Sequence, residues 1–169
     1  MTTHMHTVEQ ALAAVLARVR PLGAERIPLT AAGGRLLAAD LVAPFDNPPH
    51  DNSSMDGFAV RFADVAGATP AVPVTLQVIE DIPAGKVPQQ SLRAGQASRI
   101  MTGALLPDGA DTVIRSEDTQ DHGDRVDILE PEEATGENVR YRGEDMQAGA
   151  ALMTAGTVLG AGEIGVLAA

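Results

Sequence analysis

The stretch from Asp46 to Asp56 carries an unusual density of side chains able to do chemistry. Its polar members are Asp46, His50, Asp51, Asn52, Ser53, Ser54 and Asp56. A loop stiffened by prolines and rich in oxygen donors is suited to hold a magnesium ion or to present proton donors to an oxyanion. The alternative is purely structural, because Ser54 to Gly57 has the serine-first, glycine-last pattern of a type I turn that leads into a strand.

A second stretch, Arg99-Ile100-Met101-Thr102-Gly103-Ala104, ends a predicted strand on a threonine and a glycine. The Thr102 hydroxyl and the backbone N–H groups beside it can bind a phosphate or another polar group. A Thr-Gly pair at a strand end is also common in ordinary turns, so the pattern alone leaves both interpretations open.

A third stretch runs from Asn138 to Met146 and places Arg140 and Arg142 next to the Glu144-Asp145 pair. Guanidinium groups bind phosphate bidentately, and a neighbouring carboxylate can orient them or take a metal. The same residues can equally form surface ion pairs, worth about 0–1 kcal/mol each.

These stretches must be positioned by the elements around them. Thr7 and Gln10 form a capping-box pair, and apolar residues recur at three- and four-residue intervals, which predicts a helix from Thr7 to Arg20 that Pro21 ends. A short helical turn is expected at residues 29–37 and an extended segment at 39–43. The middle of the chain predicts short strands, with a hairpin turn at 121–124. The predicted strands are Gly57–Phe62, Val72–Ile79, Ala97–Met101, Thr112–Glu117 and Arg125–Leu129.

After Arg142 the pattern returns to a helix-type register, with a final helix from Glu163 in which that acid has a structural role at the helix start. Helical material at both ends therefore brackets a β-rich middle. We predict an α+β fold in which a β-rich domain, residues 45–145, is inserted into an elongated helical or linker-type domain formed by residues 1–44 and 146–169.

Composition excludes several classes of protein. The chain has 169 residues, no cysteine and a net charge of −11, and only 2% of its residues are aromatic. The negative net charge repels the phosphates of nucleic acids, and the few aromatic residues offer little surface on which bases could stack, so nucleic-acid binding is disfavoured. No apolar run is long enough for a membrane span. Ten acids and two arginines between Asp108 and Glu133 concentrate the charge, while the rest of the chain is close to neutral and open to an anionic ligand. No signal peptide, nucleotide-binding glycine loop or Ser-His-Asp spacing is apparent, so we expect a soluble, cytoplasmic protein.

Taken together and in order, the three stretches resemble the N-terminal portion of the MoeA family, the molybdopterin molybdenumtransferases, which includes the E domain of gephyrin. The resemblance rests on Asp51-Asn52-Ser53-Ser54-Met55-Asp56-Gly57-Phe58-Ala59-Val60-Arg61, on Arg99-Ile100-Met101-Thr102-Gly103-Ala104 and on Arg140-Tyr141-Arg142-Gly143-Glu144-Asp145. It extends over essentially the whole chain. It implies an inserted β-rich domain, followed in the family by a pterin-binding α/β domain and a C-terminal β-barrel, neither of which is in these 169 residues.

The resemblance also implies a function. Family members convert adenylylated molybdopterin and molybdate to the molybdenum cofactor with release of AMP, in a magnesium-dependent reaction. Their cleft lies between the β-rich domain of one subunit and the α/β domain of its partner in a homodimer. At the matching positions, Asp56 and Thr102 are expected to be catalytic, and Ser54, Arg140 and Asp145 to bind substrate.

Asp56 would hold magnesium or position a water at the phosphoanhydride. A contact with the molybdopterin adenylyltransferase is a further expectation, and these residues alone are expected to be inactive because the pterin pocket lies elsewhere. The alternatives are a non-catalytic scaffold or dimerisation module of the same fold and, further off, an unrelated β-rich ligand-binding protein.

Overall fold

A computed structural model of the protein describes residues 7–20 and 22–169. The chain divides into two compact units. One contains the described residues up to Leu41 together with Met153–Ala169, and the other is Val42–Leu152. The three stretches singled out above all lie in the second unit.

The helices are short. They are α1 (Val8–Leu16), α2 (Phe62–Val65) and α3 (Ala161–Ala168), with a 3-10 turn at Leu29–Ala31. The predicted capping box of α1 is confirmed, since Gln10 N donates to Thr7 Oγ1 at 3.3 Å and Thr7 N donates to Gln10 Oε1 at 3.0 Å. The helix ends at Leu16, earlier than the predicted Arg20, and Pro21, the predicted terminator, lies outside the described residues.

The strands dominate the second unit. They are β1 (Leu41–Val42), β2 (Asn52–Ser53), β3 (Gly57–Val60), β4 (Val74–Ile82), β5 (Gln96–Ile100), β6 (Thr112–Arg115), β7 (Thr119–Asp121), β8 (Arg125–Ile128), β9 (Val139–Arg140) and β10 (Ala151–Met153). Six of them form one sheet in the order β6-β3-β5-β4-β8-β7, and β1–β10 and β2–β9 form two-stranded sheets. Within the large sheet β4 and β5 run parallel and the other pairs are antiparallel.

Two hydrophobic clusters pack against this sheet. Phe58 and Val60 belong to one cluster and Ala59, between them, belongs to the other. Because successive side chains of a strand point to opposite faces, β3 is buried on both faces of the sheet. Both clusters lie in the second unit, and β3, the strand that follows Asp56, contributes side chains to each of them.

Some local predictions were wrong, for identifiable reasons. The predicted first strand ends at Val60 rather than Phe62, because the Phe62 N–H donates to Asp111 Oδ1 at 2.7 Å and begins α2. The helix-type register after Arg142 is not observed before α3; the chain forms β10 and turns there, with Gly149 and Gly156 at φ of 85° and 87°, values that a helix does not use. The chain is accordingly mostly β.

The predicted hairpin turn at 121–124 is present, but it joins β8 to β7. One of the ten acids between Asp108 and Glu133, Asp121, forms an ion pair in this region. Arg99 forms ion pairs with Asp121, at 2.7 Å, and with Asp81, and its guanidinium carbon lies 5.4 Å from the centre of the Phe58 ring. Arg99, the first residue of the second stretch, therefore contacts side chains of other strands in the sheet.

None of the helices within residues 7–20 and 22–169 has the length and apolar character needed to cross a membrane.

Candidate functional site

Asp56 and Thr102, which are distant in the sequence, are in direct contact. Asp56 Oδ1 accepts hydrogen bonds from Thr102 N at 2.7 Å and from Thr102 Oγ1 at 2.8 Å. The sheet explains the contact: Asp56 immediately precedes β3, Thr102 follows β5, and the antiparallel register pairs Gly57 with Ile100. The start of one strand therefore meets the end of the other.

The Asp56 carboxylate is exposed and polarised. The Thr102 backbone N–H, and after it the Thr102 hydroxyl, hold the pKa of Asp56 below its ordinary value. Both hydrogen bonds use Oδ1, and Oδ2 carries none among the described residues. Oδ1 thus fixes the side chain, while Oδ2 of this exposed carboxylate keeps its capacity to accept a hydrogen bond.

Strand β2 joins the three stretches. Ser53 N donates to Ala104 O at 3.0 Å and Ser53 O accepts from Gly103 N at 2.8 Å, which ties the first stretch to the second. On its other side β2 pairs with β9, with Asn52 opposite Arg140, which ties the first stretch to the third. A two-residue strand therefore brings together motifs that lie far apart in the chain.

Ser54 takes part through its backbone. Its N–H donates to Asn138 O at 3.0 Å, beside the start of β9. The local hydrogen bonds of the predicted turn come from its neighbour: Ser53 Oγ donates to Met55 O at 2.6 Å and accepts from Met55 N at 3.2 Å. The Ser54 side chain is half-buried and makes no hydrogen bond within the described residues.

Arg140 and Asp145 form an ion pair with each other. The turn between them is closed by Tyr141 N donating to Glu144 Oε2 at 2.9 Å and Glu144 N donating to Tyr141 O at 3.0 Å. Their side chains are 42% and 49% exposed, so the pair is worth little to stability and can be opened by an anionic ligand that competes for the guanidinium. Both interpretations of the third stretch, surface ion pair and phosphate binder, remain compatible with this geometry.

Asp46 and Asp51 serve a purpose that the sequence did not indicate. Asp46 Oδ1 accepts from Ala148 N at 2.8 Å and Oδ2 from Arg142 Nε at 2.5 Å, while Asp51 Oδ1 accepts from Arg142 N at 2.7 Å. The Ala148 N–H, followed by Arg142, keeps the pKa of Asp46 below its ordinary value. These carboxylates anchor the third stretch against the first, and their partners lie too far along the chain for a spacing rule to reveal them.

In the part of the chain that the structure describes, protein side chains do not form a metal cage by themselves. Across residues 7–20 and 22–169 no group of three or more histidine, cysteine, aspartate or glutamate side chains is arranged to hold a metal ion. Asp56 can supply one ligand oxygen, Oδ2, to a magnesium ion that takes its remaining ligands from water and substrate phosphates, which is a common way for proteins to bind this ion.

A groove of about 660 Å³ lies beside these stretches within the second unit. It runs between the segment 87–91 and a wall that includes Asp51 and Leu105, and Arg142 is part of its lining. Asn52 forms an isolated bridge to Leu105, so β2 borders the groove as well as the site.

Comparison with known proteins places this arrangement in context. Residues 6–169 match the family model described as the MoeA N-terminal region, domains I and II. A molybdopterin molybdenumtransferase from Nostoc is 46% identical over 145 residues, covering 86% of this chain and 33% of that protein. Molybdopterin molybdenumtransferase 2 from Mycobacterium tuberculosis is 40% identical over 161 residues, covering 95% and 39%.

Solved structures agree. A crystal structure of the molybdopterin biosynthesis MoeA protein from Pyrococcus horikoshii superposes with a TM-score of 0.79 at 38% identity, covering 85% of this chain and 38% of that one. The chain thus spans between a third and two fifths of the length of these relatives.

Proposed function

The chain belongs to the MoeA family of molybdenum cofactor biosynthesis, and from this membership we propose that it forms part of an enzyme that inserts molybdate into adenylylated molybdopterin with release of AMP. The relatives that support the proposal are named as molybdopterin molybdenumtransferases, and the chain corresponds to their N-terminal region. The proposal therefore concerns a reaction of the whole enzyme, and we expect these 169 residues to be inactive on their own.

The contact between Asp56 and Thr102 is the observation that supports this proposal most directly. It joins two of the three stretches that carry the family resemblance, and it leaves Oδ2 of an exposed carboxylate without a hydrogen bond among the described residues. Because the pKa of Asp56 is lowered, the carboxylate binds a proton only weakly at neutral pH. Asp56 is better suited to orient a water molecule or to bind a cation.

The step that releases AMP needs little covalent chemistry from the protein. A water oxygen forms a bond to phosphorus, the phosphoanhydride P–O bond breaks, and AMP leaves with the bonding electrons, while the water proton passes to phosphate or solvent. Asp56 Oδ2 accepts a hydrogen bond from that water and fixes its direction of approach. Thr102 holds Asp56 in place, and Arg140, released from Asp145, offsets the charge of the phosphates.

A magnesium ion fits this arrangement if the protein and the substrate each supply some of its ligands. When bound, it polarises the phosphoryl oxygens and neutralises their charge. The residue of this chain that would hold it is Asp56, while Ser54, two residues earlier, would bind substrate. Molybdate enters as a substrate.

The remaining parts of the proposal follow from the family. We expect a homodimer in which the cleft is completed by the partner, a cytoplasmic location, and a transient contact with the molybdopterin adenylyltransferase that supplies the adenylylated substrate. The domain division into 45–145 and 1–44 with 146–169 belongs to the same set of expectations.

A chimera tests the proposal. This chain replaces the matching N-terminal region of the Nostoc relative, and the purified chimera is assayed for AMP release and molybdenum incorporation with adenylylated molybdopterin and molybdate. We expect activity, and we expect Asp56→Asn to lower the rate about a hundredfold or more, since the neutral amide removes the charge that orients water or cation.

Asp124→Asn is the matched control, because Asp124 lies in the exposed turn before β8 and its side chain makes no hydrogen bond in the described part of the chain. It should retain full activity. A folded chimera that is inactive, or one in which Asp56→Asn and Asp124→Asn behave alike, would contradict the proposal.

A further inference from the structure

Asn138 has an unusual backbone conformation. In the described part of the chain it is the one residue other than glycine with a positive φ, 58°. Asparagine adopts this left-handed region more readily than most residues, but glycine adopts it at lower cost, as Gly136 does at φ 92°. Glycine would therefore satisfy the backbone angle alone, and the asparagine side chain must be explained by its own contacts.

The side-chain amide of Asn138 connects two separate parts of the chain. Its Nδ2 donates to the Val113 carbonyl oxygen, within β6, at 3.0 Å and to Glu132 Oε1 at 2.7 Å. Asn138 is half-buried, so both bonds form in a region that water reaches only partly. An amide nitrogen has two N–H groups to donate, whereas an ionised carboxylate has none. The side chain at this position thus uses its full capacity as a donor.

The carbonyl group of the same residue holds the turn that leads to Asp56. Asn138 O accepts a hydrogen bond from Ser54 N at 3.0 Å. Two residues further on, Asp56 is fixed at its backbone by Ser116 N, which donates to Asp56 O at 3.0 Å, and at its carboxylate by Thr102. Asn138 therefore connects this turn to β6, through its backbone on one side and its amide on the other.

We propose that Asn138 is a positioning residue for the candidate site: its amide, held on β6, fixes the carbonyl group that binds Ser54 N, and this fixes the turn that directs the Asp56 carboxylate. The inference rests on the proposed function for the reaction that Asp56 serves. Asn138 acts through the backbone of the turn and not through contact with the substrate. Because a misplacement of about 1 Å at a reacting group can lower a rate about a hundredfold, such an anchor affects catalysis more than stability.

The chain by itself provides the first test, without any assay of catalysis. Asn138→Gly keeps the left-handed backbone accessible and removes the amide. We expect the pKa of Asp56, measured by carboxyl-carbon NMR titration, to rise toward its ordinary value of 3.8 in this variant. The Thr102 amide signal should shift with it, because the contact between Asp56 and Thr102 loosens.

Val126→Ala controls for a general loss of stability. Val126 is fully buried in β8, which lies three strands from β3 in the large sheet. Its truncation leaves a cavity and lowers the free energy of unfolding. Because the turn before β3 is not involved, the pKa of Asp56 and the Thr102 amide signal should remain those of the wild type.

The chimera with the Nostoc relative provides the catalytic measurement at neutral pH. Asn138→Gly should lower kcat for AMP release about tenfold to a hundredfold, with KM for adenylylated molybdopterin changed less than about twofold, since the lost orientation matters in the transition state. Asn138→Asp, which keeps the shape and removes both donors, should lower kcat at least as much. Val126→Ala should retain the kcat of the unsubstituted chimera.

Two results would overturn the inference. An Asn138→Gly protein with the wild-type pKa of Asp56 and Thr102 signal, or with an unchanged kcat in an active chimera, would mean that asparagine serves the backbone angle alone. Equal changes in Val126→Ala and Asn138→Gly would mean that lost stability explains the effect.

Failure of the proposed function has a different signature. An unsubstituted chimera that folds and is inactive contradicts the proposed function, and the NMR comparison of Asn138→Gly with Val126→Ala then decides by itself whether Asn138 positions Asp56. An active chimera whose kcat does not respond to Asn138→Gly contradicts this inference alone.

Discussion

Thr102 sets the ionisation of Asp56. Of the two hydrogen bonds that Thr102 donates, the backbone bond survives any substitution that keeps the fold, whereas the hydroxyl bond depends on the side chain. The hydroxyl can therefore be tested separately from the strand geometry that brings the two residues together.

Thr102→Val should raise the pKa of Asp56 toward its ordinary value of 3.8 without restoring it fully, because one of two stabilising hydrogen bonds to the carboxylate is lost. Thr102→Ser, which keeps the hydroxyl, should leave the pKa of Asp56 lowered. Carboxyl-carbon NMR titration of Asp56 in both variants measures the difference. Equal pKa values in the two variants would show that the hydroxyl has no part in holding the carboxylate ionised.

Gly57 follows Asp56 because no larger residue fits there. A Cβ atom at this position would lie 1.9 Å from the Ile114 carbonyl oxygen, and that oxygen belongs to the backbone of β6. Gly57→Ala should therefore lower the free energy of unfolding by about 1–3 kcal/mol, as is typical of overpacking that the backbone must absorb.

Gly67→Ala is the matched control for this prediction, because a Cβ atom there would meet nothing within 4 Å and the backbone angle is ordinary. Its effect should stay within about 0.5 kcal/mol. Urea denaturation of the two variants is the measurement. If Gly57→Ala proves as stable as Gly67→Ala, the backbones of β3 and β6 do not approach closely enough to exclude a Cβ atom at position 57.

At the scale of elements, the segment that leads into β9 is held by a carboxyl group in an unfavourable environment. Glu132 is 13% exposed; its Oε1 accepts from Asn138 Nδ2 at 2.7 Å and lies 3.5 Å from Arg115 Nε. Burial, and after it a hydrogen bond with Glu137, raises the pKa of Glu132, and these effects outweigh the attraction of Arg115.

A raised pKa means that folding favours the protonated acid. The stabilisation from Glu132 is then fully present below its unfolded pKa, near 4.5, and is lost as the pH rises through its folded pKa. Glu132→Gln imitates the protonated form, so it should match the wild type in acid and become the more stable protein as the pH approaches neutrality. Unfolding free energies measured across this range test the prediction.

Glu133→Gln, at the exposed neighbouring position, should follow the wild type at every pH. A Glu132→Gln protein less stable than the wild type at neutral pH would mean that the ion pair with Arg115 outweighs burial.

Sequence patterns predicted the long strands better than the short ones. β4, β5, β6 and β8 lie within a few residues of their predicted ranges, because alternation over four or more residues is visible in the sequence. β2 and β9 are two residues long and carry no periodicity, so the element that joins the three stretches could not be predicted.

The same limit applies to the site. That Asp56 and Thr102 belong together followed from the family resemblance, and the register of β3 with β5 supplies the physical reason. The anchoring by Asp46 and Asp51 depends on partners 91 to 102 residues away, which no local pattern encodes.

For the whole molecule, the second unit contains both hydrophobic clusters and all the site residues. A chain of residues 42–152 should therefore unfold cooperatively by itself. Ile114→Ala, which removes a fully buried side chain, should lower the unfolding free energy by about 2–5 kcal/mol, and by the same amount in the 42–152 fragment as in the full 169 residues. Thermal and urea unfolding of the four proteins provide the comparison, and a non-cooperative fragment would contradict it.

The two-residue strand β2 has a consequence for folding kinetics. Its partners, Leu105 on one side and Arg140 on the other, can be reached only after long loops of chain have closed, so the contacts around it have high contact order. The local hairpin of β7 and β8 can form early without them. During refolding, hairpin signals should therefore appear before the Asp56–Thr102 contact, and the candidate site should be complete only once the second unit has passed its main folding barrier.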